Sequence, residues 1–209
     1  MKRFALLALA AVSALFLAVA PASAGTLDQV QKRGKLLCGV HPGLPGFGLQ
    51  DNAQWVGFDV DFCRAVAAAI FNDPTRIGFI PLTAKDRFTG LQSGEVDLLS
   101  RNTTWSLSRE AGQGFLFAGV TYFDGQAFMV RKKLNVTSAL ELSGASICVI
   151  QGTTTELNLS DYFRANNMKF EPGTYAYADE AVAAYQDGRC DAFTTDMSGL
   201  YAERAKLKA

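Results

Sequence analysis

The sequence predicts an α/β protein of two lobes, each a mixed, mostly parallel sheet flanked by helices. Short apolar strands alternate with helical segments, and strands joined through helices run parallel with right-handed crossovers. This order occurs in the first half and again after residue 130. The segments Leu91–Asp97 and Tyr185–Asp191 share a further pattern, in which Gly ends a helix and Asp begins a strand. The repetition favours two lobes of similar construction.

The predicted elements of the first half each have a local signal. Apolar residues recur at helical spacing after Asp59, and Thr83 and Gly94 are typical of the start and end of a helix. The Pro- and Gly-rich stretch His41–Gly48 predicts turns. In order, we predict the strand Lys35–Val40, the helix Asp59–Phe71, the strand Arg76–Leu82, the helix Thr83–Ser93 and the strand Val96–Ser100.

The second half repeats the alternation. Ser138–Glu141 is a capping-box pattern that opens a short helix. We predict next the strand Ser146–Ile150, the helices Thr154–Ala165 and Asp179–Asp187, the strand Cys190–Thr194 and the helix Met197–Lys206.

The segment Gly119–Lys132 joins the two halves and is rich in β-forming residues. Asp124-Gly125 suits a hairpin turn, and it equally suits a bend where a strand passes between lobes. We predict a first lobe over 25–123, a hinge strand over 124–130 and a second lobe over 131–209.

Residues 1–24 have the pattern of a secretory signal peptide. Lys2 and Arg3 precede an apolar run from Phe4 to Ala20, and Ala22-Ser-Ala24 is a small-residue cleavage site. A membrane anchor is the alternative, because the run nearly spans a bilayer. The break at Pro21 favours cleavage, and hence export to the periplasm.

Charge and composition exclude several classes of protein. Removing residues 1–24 takes away two of the 20 Lys and Arg and none of the 20 Asp and Glu, which leaves a formal charge of −2. A nucleic-acid-binding protein would show a basic excess. His41 is the single histidine, which argues against a His-rich metal site and a Ser-His-Asp triad. No motif predicts a cofactor or a metal.

Four cysteines predict two disulfides in an exported chain. The wide spacings contain no Cys-x-x-Cys, so a zinc or redox motif is not indicated. Three pairings are possible, and buried free thiols are a further alternative. Two cysteines fall in each half, which favours Cys38–Cys63 and Cys148–Cys190.

Polar residues follow three predicted strands, and ligands of open α/β sheets bind at such carboxyl ends. Ser100–Thr104, with Arg109 five residues later, offers hydrogen-bonding groups and cations, and Asp196 offers an anion. Gln151–Glu156 opens a helix whose free N–H groups suit an anion. Solvated surface charges and ordinary N-caps are the alternatives. The Gly-Lys-Ser/Thr of a nucleotide P-loop is missing from that motif.

Five separated motifs together resemble the polar amino-acid-binding proteins of bacterial ABC transporters, which form family 3 of the extracellular solute-binding proteins. Arg101-Asn-Thr-Thr-Trp105 is similar to the general L-amino-acid-binding group. The resemblance covers all of the chain after residue 24 and implies a periplasmic binding protein type II fold. The motifs are Gly57–Asp61, Leu91–Asp97, Ser100–Arg109, Gln151–Glu156 and Gly188–Asp196.

The resemblance also implies roles for individual residues. Arg109 matches the arginine that pairs with a ligand α-carboxylate, and Asp196 matches the carboxylate that receives the α-ammonium. Asn102 and Thr104 match first-lobe positions that bind either group. Thr153 and Thr154 match the start of the second-lobe helix that holds the carboxylate. A zwitterion needs a forked cation at one end and an anion at the other, which agrees with this assignment.

Two departures from the family pattern matter. The loop Pro42–Phe47 has one aromatic residue, and Ala84 stands where another aromatic often lies, which favours broad amino-acid recognition. Family members also cross back from the second lobe to complete the first, whereas this sequence stops at Ala209. We therefore expect the second lobe and the return crossover to be incomplete in this sequence.

The resemblance implies a non-enzymatic carrier. It binds a free L-amino acid in the periplasm, delivers it to an inner-membrane ABC permease, and is a monomer when complete. A periplasmic dehydratase-like enzyme on the same fold and the ligand-binding sensor domain of a receptor are the alternatives.

Overall fold

The computed structural model of the protein describes residues 25–207, so the predicted signal peptide lies outside the described residues. Within this range the first sheet has three parallel strands. Its central strand β1 (Leu36–Val40) pairs with β4 (Ile77–Pro81) on one side and β5 (Leu98–Leu99) on the other. A hairpin of β2 (Leu49–Asp51) and β3 (Gln54–Val56) follows β1. We call the part built around this sheet the first lobe.

Helices surround the first sheet. The buried core residues Cys38 and Val40 of β1 pack with Val60 and Cys63 of the long second helix. The helical elements of this lobe are α1 (Thr26–Arg33), α2 (Phe58–Phe71), α3 (Arg87–Gln92) and a π-helical turn (Ser108–Gly112).

The second sheet has four strands within the described range. Its strand β7 (Ser146–Ile150) runs parallel to β8 (Glu171–Tyr175) and to β9 (Ala192–Asp196). The edge strand β6 (Gln126–Val130) is antiparallel to β9. The predicted mixed, mostly parallel sheet is confirmed here, and we call the part built around it the second lobe.

Strand β7 is apolar from Ile147 to Ile150, and both of its faces are covered. Ile147 and Val149 belong to one buried cluster, and Cys148 and Ile150 belong to another. Continuous apolar runs are typical of parallel strands between two helical layers. These layers hold α4 (Thr154–Ala165), α5 (Ala178–Gln186) and α6 (Met197–Arg204), and two 3₁₀ turns (Lys132–Leu134 and Ala139–Glu141) precede β7. None of the helices in residues 25–207 is long and apolar enough to cross a membrane.

The repeated Gly…Asp pattern has one structural cause in both lobes. Gly94 and Gly188 have φ of 77° and 80°, a left-handed conformation that glycine adopts without steric cost. The Asp97 carboxylate then accepts a hydrogen bond of 2.7 Å from the Leu37 backbone N–H. The Asp191 carboxylate accepts one of 2.9 Å from the Ser146 N–H. Each aspartate therefore anchors the start of its lobe's central strand.

Both predicted disulfides are confirmed, each within one lobe. Cys38 is bonded to Cys63, which ties β1 to α2. Cys148 of β7 is bonded to Cys190, just before β9. Neither bond crosses between the lobes.

Three predicted elements are much shorter in the structure. The helix predicted over Thr83–Ser93 spans Arg87–Gln92, because the Thr83 hydroxyl caps the preceding turn by accepting from the Asp86 N–H at 3.1 Å. The strand predicted over Val96–Ser100 is reduced to Leu98–Leu99. In the β-rich segment Gly119–Lys132, the strand is confined to Gln126–Val130.

Candidate ligand-binding site

A cavity of about 210 Å³ lies between the two sheets. It collects residues from the carboxyl ends of strands in both lobes, where open α/β sheets bind ligands. Its volume is below the roughly 300–1,000 Å³ of clefts for drug-sized ligands, so it suits a smaller molecule. The first-lobe wall includes His41, Ala84, Arg87, Arg101, Asn102 and Thr104, and the second-lobe wall includes Thr153, Thr154, Thr155, Tyr177, Asp179 and Asp196.

Asp196 is the half-buried acid of the cavity wall and ends strand β9. Its side chain makes no capping hydrogen bond to α6 within the described residues, and Asp124 instead accepts from the Ser198 N–H at 3.2 Å. Burial, and then the charge of Asp124, raises the pKa of Asp196 above its usual value, while a hydrogen bond from the Asn102 side chain acts in the opposite direction. Asp196 is therefore available as a partner for a cation in the cavity.

Arg109 lies close to the cavity without forming part of its wall in the described structure. Its guanidinium is buried, donates 2.7 Å from Nη1 to the Thr104 carbonyl, and sits 5.0 Å from the centre of the Phe88 ring. Burial lowers the pKa of Arg109, and the charge of Asp196 opposes that shift. The predicted charged residues Arg109 and Asp196 are therefore close enough to interact electrostatically, and Thr104 lies next to Arg109.

The predicted threonines bring the two lobes into contact. The Thr104 and Thr154 hydroxyl oxygens lie 2.9 Å apart. Thr153 is the N-cap of α4, since its Oγ1 accepts from the Glu156 N–H at 3.1 Å. Glu156 in turn accepts from the Gly152 N–H at 2.9 Å, one residue before the N-cap. Thr153 therefore serves as a cap and as part of the cavity wall.

Arg87 is a cavity residue that the sequence analysis missed, because it lay inside a predicted helix. Its side chain is almost fully buried, at 2% exposure. Nη1 donates 3.0 Å to the Asn102 carbonyl and 3.1 Å to the Thr103 hydroxyl, and Nη2 donates 3.4 Å to the Gly152 carbonyl of the second lobe. No local pattern in the sequence pointed to it, because its acceptors lie in segments that are distant from it along the chain.

Arg101 lines the cavity beside Arg87. Its Nη1 donates 2.6 Å to the Leu82 carbonyl, and its Nε and Nη2 donate to the Asn102 side-chain oxygen at 3.2 and 2.8 Å. Burial lowers the pKa of Arg101 to about 10, while Asp59 is its largest opposing charge. Burial also disfavours the charged form of Asp59, and it raises the pKa of that carboxyl to about 6. The charge of Asp59 therefore partly offsets the charge of Arg101 in the cavity wall.

His41 follows β1 and is neutral at pH 7. Burial, followed by the charges of Arg101, Lys206 and Arg87, lowers its pKa to about 3. Its Nδ1 accepts a hydrogen bond of 3.0 Å from the Gly43 N–H. No group of three or more His, Cys, Asp or Glu in residues 25–207 is arranged to hold a metal ion.

At Gly152 the backbone of the second lobe lies close to that of the first lobe. It has a φ of 75°, and a Cβ added there would lie 3.2 Å from the Lys85 Cα of the first lobe. Lys206 of the second lobe also donates 3.3 Å to the Gly43 carbonyl of the first. These contacts hold the two lobes together around the cavity.

Comparison with known proteins identifies relatives of this chain. The profile of the bacterial extracellular solute-binding proteins, family 3, matches residues 36–184. The general L-amino acid-binding periplasmic protein AapJ of Rhizobium johnstonii is 58% identical, over 95% of this chain and 59% of its own length. The glutamate/glutamine/aspartate/asparagine-binding protein BztA of Rhodobacter capsulatus is 50% identical, over 99% of this chain and 61% of its own.

A solved structure agrees with these relatives. The periplasmic binding protein of an ABC transporter from Brucella ovis, with glutathione bound, superposes with a TM-score of 0.84 at 58% identity, covering 88% of this chain and 58% of that one. The chain thus spans about three fifths of the length of the curated relatives it matches, which are 59% and 61% covered. The match over residues 36–184 and the two-lobe architecture show that the chain belongs to the bacterial extracellular solute-binding proteins of family 3.

Proposed function

We propose that the protein binds free L-amino acids in the periplasm, without chemical turnover, and delivers them to an ABC permease in the inner membrane. The observation that carries this proposal is a small cavity between two lobes, with Asp196 on one side and buried arginines on the other. The names of AapJ and BztA, which describe amino-acid-binding proteins, support it.

The charged ends of an amino acid define the roles that we propose for the site. Arg109 pairs with the α-carboxylate, because a guanidinium presents a fork that matches it. Asp196 receives the α-ammonium, and its position in the wall supports this role. Asn102, Thr104, Thr153 and Thr154 then supply hydrogen bonds to the same head group. Arg109 must approach the cavity beside Thr104 for this pairing to form.

Closure of the two lobes onto the ligand is part of the proposal. We propose residues 25–123 and 131–209 as the lobes and 124–130 as the hinge between them. The Met197 N–H donates 2.7 Å to the Gly125 carbonyl, which supports a defined conformation at the start of this segment. A monomer that carries one ligand to a membrane permease needs such a segment, because the cleft must open to release it.

Calorimetric titration of the purified full-length protein with the L-amino acids tests the function. We expect saturable binding of several L-amino acids, unchanged ligand on recovery, and no heat with the matching D-enantiomers. Conversion of a bound ligand would indicate an enzyme. Absence of binding by every L-amino acid would refute the proposal.

A further inference from the structure

Arg101 holds the side-chain amide of Asn102 in one orientation. The arginine is 9% exposed, and its Nη1 donates 2.6 Å to the Leu82 carbonyl just after β4. Its Nε and Nη2 both donate to the side-chain oxygen of Asn102, at 3.2 and 2.8 Å. An arginine offers donors and no acceptor, so the amide must turn its oxygen toward the guanidinium. The NH₂ group of Asn102 therefore points away from Arg101.

The Asn102 side chain also makes a hydrogen bond to Asp196 across the cavity. Both residues line the cavity wall, Asn102 from the first lobe and Asp196 from the second. An ionised carboxylate only accepts hydrogen bonds, so the NH₂ group of the amide is the donor in this contact. The contact with Arg101 and the contact with Asp196 thus give the same orientation of the amide.

The guanidinium of Arg101 is held by the protein itself. All three of its nitrogens donate to protein oxygens, and the buried Asp59 is its largest opposing charge. The Ser100 hydroxyl donates 3.0 Å to the Asp59 carbonyl, which ties the start of α2 to the end of β5 beside Arg101. Because its donors are directed at protein acceptors, Arg101 acts on a ligand through Asn102 rather than by contact.

We propose that Arg101 is a positioning residue, which fixes the Asn102 amide so that it presents a hydrogen-bond donor to the cavity. This donor serves carboxylates, namely Asp196 and the ligand's α-carboxylate, and it cannot accept from the α-ammonium. Asn102 then orients Asp196 for the ammonium without competing for it. The inference deepens the proposed function and rests on it, since it assumes that the ligand's ammonium lies at Asp196.

A double-mutant cycle on the full-length protein, with L-glutamine as the probe, tests whether Arg101 acts through Asn102. Arg101→Met should bind L-glutamine about tenfold more weakly than the unaltered protein, because the amide is free to turn. In the Asn102→Ala background, the same substitution should change the affinity by less than about twofold, since no amide remains to be positioned. A purely structural or electrostatic role would cost the same in both backgrounds.

The sign of the effect of Asn102→Asp tests the orientation of the amide. This substitution keeps the shape of the side chain and replaces the NH₂ group with a charged oxygen. If NH₂ faces Asp196, the new oxygen meets a like charge, and the affinity for L-glutamine should fall by about tenfold or more. Unchanged or tighter binding by Asn102→Asp would show that the amide oxygen faces the ammonium, and would overturn the proposal.

Arg64→Met is the matched control for the loss of an arginine. Arg64 is a half-buried arginine of the same lobe that does not line the described cavity, and it donates 2.6 Å to the Trp55 carbonyl. Its removal should change the affinity by less than about twofold in both backgrounds. If Arg101→Met does not fold, as judged by circular dichroism, Arg101→Lys replaces it. The lysine keeps the charge without the paired donors, so the same coupling to Asn102 is expected.

A spectroscopic readout follows the amide directly. In ¹⁵N-labelled protein saturated with L-glutamine, the side-chain NH₂ signals of Asn102 are identified by their absence in Asn102→Ala. Arg101→Met should shift or broaden these signals, and Arg64→Met should leave them unchanged.

Equal losses of affinity for Arg101→Met in the two backgrounds, or Asn102 signals that do not respond to it, would overturn the proposal. In either case L-glutamine still binds the unaltered protein, so the proposed function survives. Failure of every L-amino acid to bind would instead remove the proposed function, and this inference with it.

Discussion

Replacing Asp196 with asparagine should separate ligand affinity from the stability of the free protein. The substitution keeps the size of the side chain and removes its charge. Asp196 lies at the carboxyl end of β9 in the cavity wall, where closure excludes water from the ligand's ammonium. Leaving that ammonium buried and unpaired should cost about 3–5 kcal/mol. This corresponds to a loss of roughly two to three and a half decades in affinity.

The free protein should respond in the opposite direction. Burial and the neighbouring Asp124 raise the pKa of Asp196, so the fold disfavours its ionised form. A raised carboxyl pKa means that the folded state binds more protons than the unfolded state at mildly acidic pH, and ionisation at pH 7 opposes folding. Asp196→Asn should therefore melt at the same temperature as the unaltered protein or slightly higher.

Calorimetry and thermal melting of the same preparation measure both quantities. Asp179→Asn is the matched control, because Asp179 also lines the cavity but is exposed, and it should bind within about threefold of the unaltered protein. If Asp196→Asn also binds within about threefold, Asp196 does not receive the ligand's ammonium. Parallel losses of affinity and melting temperature would indicate a purely structural role.

Three further predictions concern closure, acid stability and the second-lobe disulfide. Gly152→Ala should weaken binding by more than Gly144→Ala, because both positions have positive φ but only the Cβ added at Gly152 would crowd the first lobe, at 3.2 Å from the Lys85 Cα. Equal affinities in calorimetry would contradict this. Between pH 6.5 and 5, the unaltered protein should lose about 2 kcal/mol of unfolding free energy that His41→Asn retains, as measured in urea titrations. The reason is that burial lowers the pKa of His41 to about 3 and penalises its protonated form. Identical pH profiles for the two proteins would refute this prediction. Replacing Cys148 and Cys190 with serine should lower the unfolding free energy by about 4 kcal/mol for a separation of 42 residues, and an unchanged urea midpoint would show that the bond contributes little.

Local patterns predicted much of the fold because their causes are local. The helix Thr154–Ala165 begins at the predicted residue, since Thr153 and Glu156 form the capping hydrogen bonds that the residue types indicate. The two Gly…Asp segments were recognisable because each lobe uses the same turn and the same carboxylate-to-strand contact. In such cases a few neighbouring residues are enough to specify the structure.

Tertiary context explains the parts of the fold that were missed. Strand β8 contains Pro172 and Gly173, which usually interrupt strands, yet it lies at the edge of its sheet, where a missing N–H is tolerated. The hairpin of β2 and β3 was also not predicted, because Asn52 and Ala53 at its turn adopt positive φ, which is uncommon for these residues outside turns.

The candidate site was predictable where one strand end carries several polar residues, as at Asn102 and Thr104. Arg87 was not, because its burial depends on acceptors from Asn102, Thr103 and Gly152, which come from three separate segments. No local pattern distinguishes such an arginine from a solvated one on a helix surface.

The most direct test of the zwitterion site combines Arg109→Ala with a change to the ligand. L-glutamine and its α-amide differ only in the α-carboxylate that Arg109 is proposed to bind. Calorimetry on the unaltered full-length protein should show the α-amide binding about a hundredfold or more weakly than L-glutamine. In Arg109→Ala the two ligands should differ by less than about threefold, because the partner of the carboxylate is gone. An undiminished difference between the two ligands in Arg109→Ala would contradict the account.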